Sequence, residues 1–422
     1  MFNFLSILLV LSGNILQFYD FTIYAFLTKQ ISREFFNFKH DFYSILFTFL
    51  IFAVGYLSRP LGSIIFGYIG DTKGRSIALS KTIFLSTLAT FLIGLIPSYN
   101  KIGFFAPTIL IVLRLLQGIS VSGEEGGAVV LLFEKFRLKK NIMGAYVLSS
   151  VLIGVVLGLI VCEVVHELIS KEILNSNCWR LPFLISFPFG YILYRYRFYL
   201  NDFYLFNQAK KNQLTVENPT KHLFFNNLKY VVFSIFLVSI YSVTTSTLIV
   251  HLPYYLTDVM NISYSKSMLM IGISLFFITC LTPIFATILD KKNPVLIYQI
   301  SLIGLILYSP ILFYCISSFN MIGVLFGILF FSILISLISS TVFSILIGLF
   351  PFSIRFSGVS FAFNASVTIF SSTTPIILVL LEKYFHNKFV PGIYISLIGI
   401  IVLTLFKTKF NNFLKIKALN YP

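Results

Sequence analysis

Apolar runs of about 20 residues follow one another along almost the whole chain, and this repetition constrains the fold more than any other feature. A helix of about 20 apolar residues crosses the hydrocarbon layer of a bilayer, which is about 30 Å thick. Only 11% of the residues are charged, whereas soluble domains carry about 25%. The sequence therefore predicts an all-α membrane protein and excludes a secreted disulfide protein, a coiled coil and a disordered chain.

Twelve apolar stretches are candidate transmembrane helices. Their approximate bounds are 5–28, 43–69, 77–97, 105–133, 142–166, 180–200, 229–256, 267–289, 294–316, 321–350, 357–382 and 391–406. The longest polar stretch, 201–228, lies near the middle. We therefore predict an N-terminal six-helix bundle over 1–200, a cytoplasmic linker over 201–228 and a C-terminal six-helix bundle over 229–422.

The two predicted halves resemble each other weakly. Residues 70–73 read Gly-Asp-Thr-Lys after the second stretch, and residues 289–292 read Leu-Asp-Lys-Lys after the eighth. Two six-helix repeats are the architecture of a secondary transporter, which binds its substrate between the repeats near the middle of the membrane. The sequence thus predicts twelve transmembrane helices in two six-helix repeats.

The net charge of +16 has a topological explanation. Most of the 31 Lys and Arg residues fall in segments that are cytoplasmic if the N-terminus is inside, Arg197 among them. Cytoplasmic loops of membrane proteins carry such an excess, so we expect both termini in the cytoplasm and no nucleic-acid partner. The four cysteines form no Cys-x-x-Cys pair, and we expect no metal and no cofactor.

Loop positions explain most charged residues, but three inside the apolar stretches need another explanation: Asp20, Arg59 and Glu124. Arg59 lies roughly 18 Å from the inner end of the second stretch, near the bilayer centre. Each charge costs about 2.5–3.5 kcal/mol or more if it faces lipid. Two interpretations remain open: buried ion pairs that hold helices together, or a solute and proton site.

Polar residues also form a stripe on the first helix. Asn14, Gln17, Asp20 and Tyr24 recur every three to four residues, so one helical face lines a wet region. The fourth stretch adds Arg114 and Glu125 to Glu124, and the second half offers hydroxyls and amides that include Asn364.

Five segments resemble the metabolite:proton symporter family of the major facilitator superfamily. Residues 13–21 resemble its motif G-N-x-x-E-W-Y-D-F, and residues 59–75 resemble R-P-[LI]-G-G…G-x-x-G-D-x-x-G-R. Residues 114–128 resemble R-L-L-Q-G-x-x-V-G-G-E-[YW]-G-G-A, and segments 179–183 and 350–359 resemble later signatures. Two departures are Gln17 and Glu125, which stand where the family usually has Glu and an aromatic residue.

The resemblance implies alternating access and proton-driven uptake across a bacterial inner membrane. It implies as substrates either proline and betaines or carboxylates such as 2-oxoglutarate, citrate and shikimate. It also implies a cytoplasmic latch formed by Asp71, Arg75 and Glu134.

We therefore predict a proton-coupled symporter for a small carboxylate-bearing metabolite of the proline/betaine type, working as a monomer with solute, protons and lipid as its partners. Arg59 is expected to bind the carboxylate, with Arg180 as a second anion contact. Asp20 and Glu124 are expected to carry the proton or balance a substrate cation, Arg114 to tune their protonation, and Glu125 to replace the acid lost at Gln17. The alternatives are a 2-oxoglutarate- or citrate-type symporter that uses Arg59 and Arg180 together, and an uncoupled facilitator. No catalytic motif of an enzyme is present.

Overall fold

The computed structural model describes residues 2–36, 41–136, 140–197, 216–318, 320–385 and 387–406. Within these ranges, ten helices are long and apolar enough to cross a membrane. Two shorter helices, Leu181–Arg197 and Val390–Leu405, complete the twelve spans at the positions predicted for the sixth and the twelfth.

The first half of the chain contains eight helices that matter for the site. They are α1 (Phe2–Phe26), α2 (Thr28–Phe35), α3 (Asp41–Leu57), α4 (Arg59–Lys73), α5 (Arg75–Leu95), α6 (Phe105–Lys135), α7 (Lys140–Ser170) and α8 (Leu181–Arg197). The second half continues with α9 (Leu228–Ser246), α10 (Tyr264–Ile288), α11 (Pro294–Ser318), α12 (Met321–Gly348), α13 (Arg355–Ser366), α14 (Ser372–Phe385) and α15 (Val390–Leu405). Three π-helical turns, Thr247–His251, Tyr255–Val259 and Val367–Ser371, interrupt the spans that begin with α9 and α13.

The chain forms two compact units. The first comprises Met1–Lys135, Ser150–His222 and Phe352–Asn364, and the second comprises Phe136–Ser149, Leu223–Pro351 and Ala365–Pro422. Of the predicted linker, residues 201–215 lie outside the described residues, and the remainder includes the short helix Pro219–Asn226. The division into six-helix halves stays a prediction.

Close helix approach in the first unit depends on glycine. A Cβ at Gly118 of α6 would lie 1.9 Å from the carbonyl oxygen of Gly55 in α3. A Cβ at Gly62 of α4 would lie 2.1 Å from the carbonyl oxygen of Ile119. Small residues allow such backbone contact between membrane helices, and here they bring the charged residues of α4 and α6 together.

Candidate functional site

Arg59 is the first residue of α4, where Pro60 occupies an early helical position that needs no backbone N–H. Its Nη2 donates to Glu125 Oε2 of α6 at 2.5 Å, and both side chains are 3% exposed. The rings of Phe18, Phe21 and Tyr56 lie 5.6–6.0 Å from the guanidinium carbon. Arg59 is therefore a paired charge in an aromatic surrounding.

Asn364, near the end of α13, belongs to the same cluster. Its Oδ1 accepts a hydrogen bond from Arg59 Nε at 2.9 Å. Its Nδ2 donates to the carbonyl oxygens of Ser122 and Ser360, each at 2.8 Å. The amide thus fixes the orientation of the Arg59 guanidinium.

Arg114 of α6 is fully buried and surrounded by aromatic rings. Its guanidinium carbon lies 4.6, 4.4 and 5.1 Å from the ring centroids of Phe21, Tyr24 and Phe52. Nη1 donates to Gln117 Oε1 at 2.6 Å and to the Phe21 carbonyl oxygen at 3.3 Å. Nε and Nη2 are buried and have no hydrogen-bond partner among the described residues.

Asp20 of α1 is fully buried as well. Its Oδ2 accepts a hydrogen bond from Ser86 at 3.4 Å, whereas Oδ1 has no partner within the described part of the chain. Gln117 connects the two residues, because its Nε2 donates to the Asp20 carbonyl oxygen at 3.4 Å while its Oε1 accepts from Arg114. Thr90 accepts a second hydrogen bond from the Gln117 amide at 2.7 Å.

The other predicted residues of the α1 stripe are also buried. Asn14 donates to Ser150 Oγ at 2.7 Å, and the Tyr24 hydroxyl donates to the Thr48 carbonyl oxygen at 3.1 Å. Both polar side-chain atoms of Gln17 are buried, and the described residues offer them no partner.

Glu124 points to a different partner from Glu125. It forms an ion pair with Arg197 at the end of α8, and Thr82 donates to its Oε2 at 2.8 Å. Both side chains of this pair are 0% exposed. Sequence reasoning missed Arg197 by counting it as a cytoplasmic loop charge, although its position inside the predicted sixth span was a usable signal.

The predicted latch residues form one network in the first unit. Asp71 accepts hydrogen bonds from the backbone amides of Phe356 and Ser357, at 3.1 and 2.9 Å, in the first turn of α13. Arg75 lies 3.3 Å from Asp71 and donates to Glu134 from Nε at 3.1 Å. The carboxylate of Asp71 thus occupies the positive end of a helix.

Arg355, which sequence reasoning did not assign to the latch, joins this network. Its Nη1 lies 3.1 Å from Glu134 Oε1, so one carboxylate holds two arginines. Arg75 also donates to the carbonyl oxygen of Phe352 at 3.0 Å.

Arg180 lies apart from these contacts, at the start of the sixth span. Its Nη2 pairs with Glu34 at 2.8 Å, and its Nη1 donates to the carbonyl oxygens of Gly94 and Ile96. Its side chain is 17% exposed.

Among the described residues, two buried charged groups have no oppositely charged partner. Asp71, Glu124 and Glu125 each contact an arginine, and Arg59, Arg75, Arg197 and Arg355 each contact a carboxylate. By contrast, Asp20 contacts no described arginine, and Arg114 contacts no described carboxylate. Three ring contacts supply about 0.5–2 kcal/mol each, whereas the effective cost of burying one ion is several kcal/mol. The three ring contacts together are therefore of the same order as the burial cost of Arg114, but they supply no anion.

The described residues contain no group of three or more His, Cys, Asp or Glu that could hold a metal ion. The site consists of carboxyl, guanidinium, amide and hydroxyl groups beside aromatic rings. Such a set can bind a charged solute and exchange protons.

Known proteins resemble this chain over most of its length. A family model described as the Major Facilitator Superfamily matches residues 10–375. The proline/betaine transporter of Salmonella typhimurium is 30% identical over 405 residues, which are 93% of this chain and 80% of that protein. The glycine betaine/proline/ectoine/pipecolic acid transporter OusA of Dickeya dadantii is 29% identical, with the same shares.

The fold also matches a solved structure. The proton:xylose symporter XylE, bound to 6-bromo-6-deoxy-D-glucose, superimposes with a TM-score of 0.74. The match covers 96% of this chain and 95% of that one at 15% identity, so it concerns the fold alone.

Proposed function

The chain belongs to the major facilitator superfamily, and from this premise we propose that it is a proton-coupled symporter importing a proline- or betaine-type zwitterion by alternating access. As an integral membrane protein of this family it is a secondary transporter rather than an enzyme, with the twelve-helix fold. The proposal places it in a bacterial inner membrane as a functional monomer with both termini in the cytoplasm.

The observation that carries the coupling proposal is the unpaired state of Asp20. Protonation of Glu124 or Glu125 would remove the charge that holds a buried arginine. An arginine stranded in this way costs about 3–5 kcal/mol. Protonation of Asp20 leaves no described cation without its anion, so this carboxyl can gain a proton at the lowest cost to the fold.

The zwitterion is supported by the names of the relatives and by the chemistry of the first unit. The Salmonella typhimurium relative is named for proline and betaine, and the Dickeya dadantii relative also for ectoine and pipecolic acid. A site with arginines, carboxyls and aromatic faces suits a solute that carries both signs of charge. Asn14, Gln17, Tyr24 and Asn364 are proposed to complete it with amide and hydroxyl contacts.

Arg59 can bind a substrate carboxylate through its Nε–Nη2 edge only by exchanging Glu125 for it, because Glu125 and Asn364 hold its Nη2 and Nε. The released Glu125 would then accept a proton or meet the substrate cation, which gives it the coupling role proposed for it. Arg180 makes the dicarboxylate alternative less favourable, since Glu34 and two carbonyl oxygens already take its donors.

Asp71, Arg75 and Glu134 are proposed as the cytoplasmic latch, with Arg355 as a fourth member. The network ties the end of α4 to the first turn of α13 and to the end of α6. Breaking these hydrogen bonds and ion pairs would release α13 from α4. Alternating access requires packed helices to separate in this way.

The test is uptake of labelled proline and glycine betaine into proteoliposomes under an inward proton gradient. We expect accumulation that an uncoupler abolishes. In Asp20→Asn, we expect exchange of labelled for unlabelled solute to continue while gradient-driven accumulation is lost.

Lys171→Gln serves as the control, because Lys171 forms an exposed pair with Glu167 away from the site. Accumulation that persists in Asp20→Asn contradicts the role of Asp20. Equilibration without dependence on the gradient supports the uncoupled facilitator, and uptake of 2-oxoglutarate alone supports the carboxylate alternative.

A further inference from the structure

The unused edge of Arg114 is the most specific unsatisfied feature of the first unit. The Nε–H and one Nη2–H of a guanidinium lie side by side and match the two oxygens of a carboxylate. In Arg114 both nitrogens are buried and have no partner within the described residues. The third nitrogen, Nη1, is held by Gln117 and by the Phe21 carbonyl oxygen, so the free edge has a fixed orientation.

We propose that this edge of Arg114 is the carboxylate subsite of the transported solute, an inference that rests on the proposed function. Arg114 then binds substrate directly, instead of only tuning the protonation of neighbouring acids. The solute must carry a carboxylate, because this group supplies the charge that the chain itself does not provide.

The comparison with Arg59 supports this assignment. Nε and Nη2 of Arg59 are the same pair of nitrogens, but they are occupied by Asn364 and Glu125. A solute at this edge of Arg59 must displace a buried carboxylate, whereas a solute at the same edge of Arg114 displaces none.

Gly55 allows α3 to approach the free edge of Arg114 closely. A Cβ built on Gly55 would lie 3.0 Å from Arg114 Nη2 and 3.2 Å from a ring carbon of Phe21. A methyl group at position 55 would therefore crowd Nη2, so glycine at this position keeps the edge free of a side chain. The rings of Phe21, Tyr24 and Phe52 around the guanidinium exclude water from the contact.

The test measures binding to the purified full-length protein by calorimetry. The four ligands differ in whether they carry a carboxylate, a cation or both. Glycine betaine and proline carry a carboxylate and a cation, choline carries only the quaternary ammonium, and acetate carries only the carboxylate. We expect wild-type protein to bind glycine betaine at least about 100-fold more tightly than choline, since choline leaves the edge unpaired. In Arg114→Gln, we expect betaine affinity to fall at least about 30-fold and choline affinity to stay the same.

Two further variants keep the test decisive if Arg114→Gln does not fold. Arg114→Lys retains the charge but not the paired donors, and should lose part of the betaine affinity. Gly55→Ala retains Arg114 and places a methyl group beside Nη2, and should weaken betaine and acetate but not choline. Lys171→Gln, which also removes one positive charge, is the control and should bind as wild type does.

The outcomes separate the two proposals. Betaine binding that survives in all three site variants but is lost in Arg59→Gln overturns the Arg114 subsite and leaves the symporter proposal intact. Wild-type binding of acetate but of neither zwitterion overturns the proposed substrate, while its loss in Arg114→Gln still supports the subsite. No binding of any carboxylate by wild-type protein overturns both.

Discussion

Arg197 and Glu124 form an ion pair in which neither side chain exposes any surface. Two of the five N–H donors of Arg197 go to the two oxygens of Glu124. The remaining three go to the carbonyl oxygens of Leu9, Val10 and Leu79. The guanidinium thereby connects α8 to α1, α5 and α6, and every donor that it has is used.

Removal of either charge from this pair should destabilise the protein strongly. In Arg197→Met the Glu124 carboxylate stays buried without a cation, and in Glu124→Gln the guanidinium stays without an anion. Each variant should lose about 3–5 kcal/mol of unfolding free energy. Unfolding of the purified variants in detergent measures the loss.

The double variant, Arg197→Met with Glu124→Gln, provides the control. It should recover part of the loss, because no unpaired charge remains buried. A double variant whose loss equals the sum of the two single losses contradicts the pairing. So does a Glu124→Gln protein as stable as wild type, an outcome that favours Glu124 as a proton carrier instead.

Asp71 should stabilise the start of α13. Its carboxylate accepts hydrogen bonds from the backbone N–H groups of Phe356 and Ser357. These are among the first four N–H groups of the helix, which have no partner inside it. Loss of such a cap costs about 0.5–2 kcal/mol, and the charge at the positive helix end adds about 0.3–1 kcal/mol. Asp71→Ala should therefore unfold more easily than wild type, with Asp71→Asn between the two.

Thermal unfolding at low and high salt measures this effect. The contact is buried, so added salt should change the difference between the variants only slightly. Equal unfolding temperatures for Asp71→Ala and wild-type protein would exclude a capping role.

Gly126 should not tolerate a methyl group. A Cβ there would lie 2.2 Å from Ser360 Oγ and 2.6 Å from Ser360 Cα, and the second atom belongs to the backbone. Since α6 or α13 must shift, Gly126→Ala should lose about 1–3 kcal/mol of stability.

Gly272 of α10 is the matched control for that substitution. A Cβ there meets nothing within 4 Å. Gly272→Ala should keep or raise stability, because alanine favours a helix over glycine by about 1 kcal/mol. Equal effects of the two variants would mean that the contact between Gly126 and Ser360 contributes nothing.

The sequence predicts the number and order of the helices well, because a span needs about 20 apolar residues and such runs are visible without any tertiary information. It does not predict which charges meet. On a helical wheel, Glu125 lies nearer the face of Arg114 than Glu124 does, yet Glu125 contacts Arg59 of α4. A wheel gives the face of a residue on its own helix but not the residue that a neighbouring helix places opposite.

The position of Arg197 was hard to interpret for a related reason. An arginine at the inner end of a span satisfies the positive-inside rule whether it points to solvent or to the bundle. Only the packing of α8 against α1, α5 and α6 decides that it is buried. Asp71 and Arg75 could be predicted as latch residues because the Gly-Asp-x-x-Gly-Arg pattern is contiguous in the chain. Arg355 could not, because it reaches Glu134 from a distant segment.

Gln17 should prove dispensable for folding and necessary for transport. Both its polar side-chain atoms are buried without a partner in the described residues, and an unsatisfied buried group costs about 1–3 kcal/mol. Gln17→Leu should thus be at least as stable as wild type. Because no described residue uses the amide, we expect it to contact the solute, and uptake of proline and betaine should fall in Gln17→Leu.

Gln117→Leu is the same substitution at an amide whose oxygen and nitrogen both form hydrogen bonds. Gln117 accepts from Arg114 and donates to Thr90, so its loss should lower the unfolding free energy by about 1–3 kcal/mol. Unfolding and uptake are measured on both variants in parallel. Full transport by a stable Gln17→Leu protein would exclude Gln17 from the substrate site. A strongly destabilised Gln17→Leu protein would mean instead that the amide supports the fold.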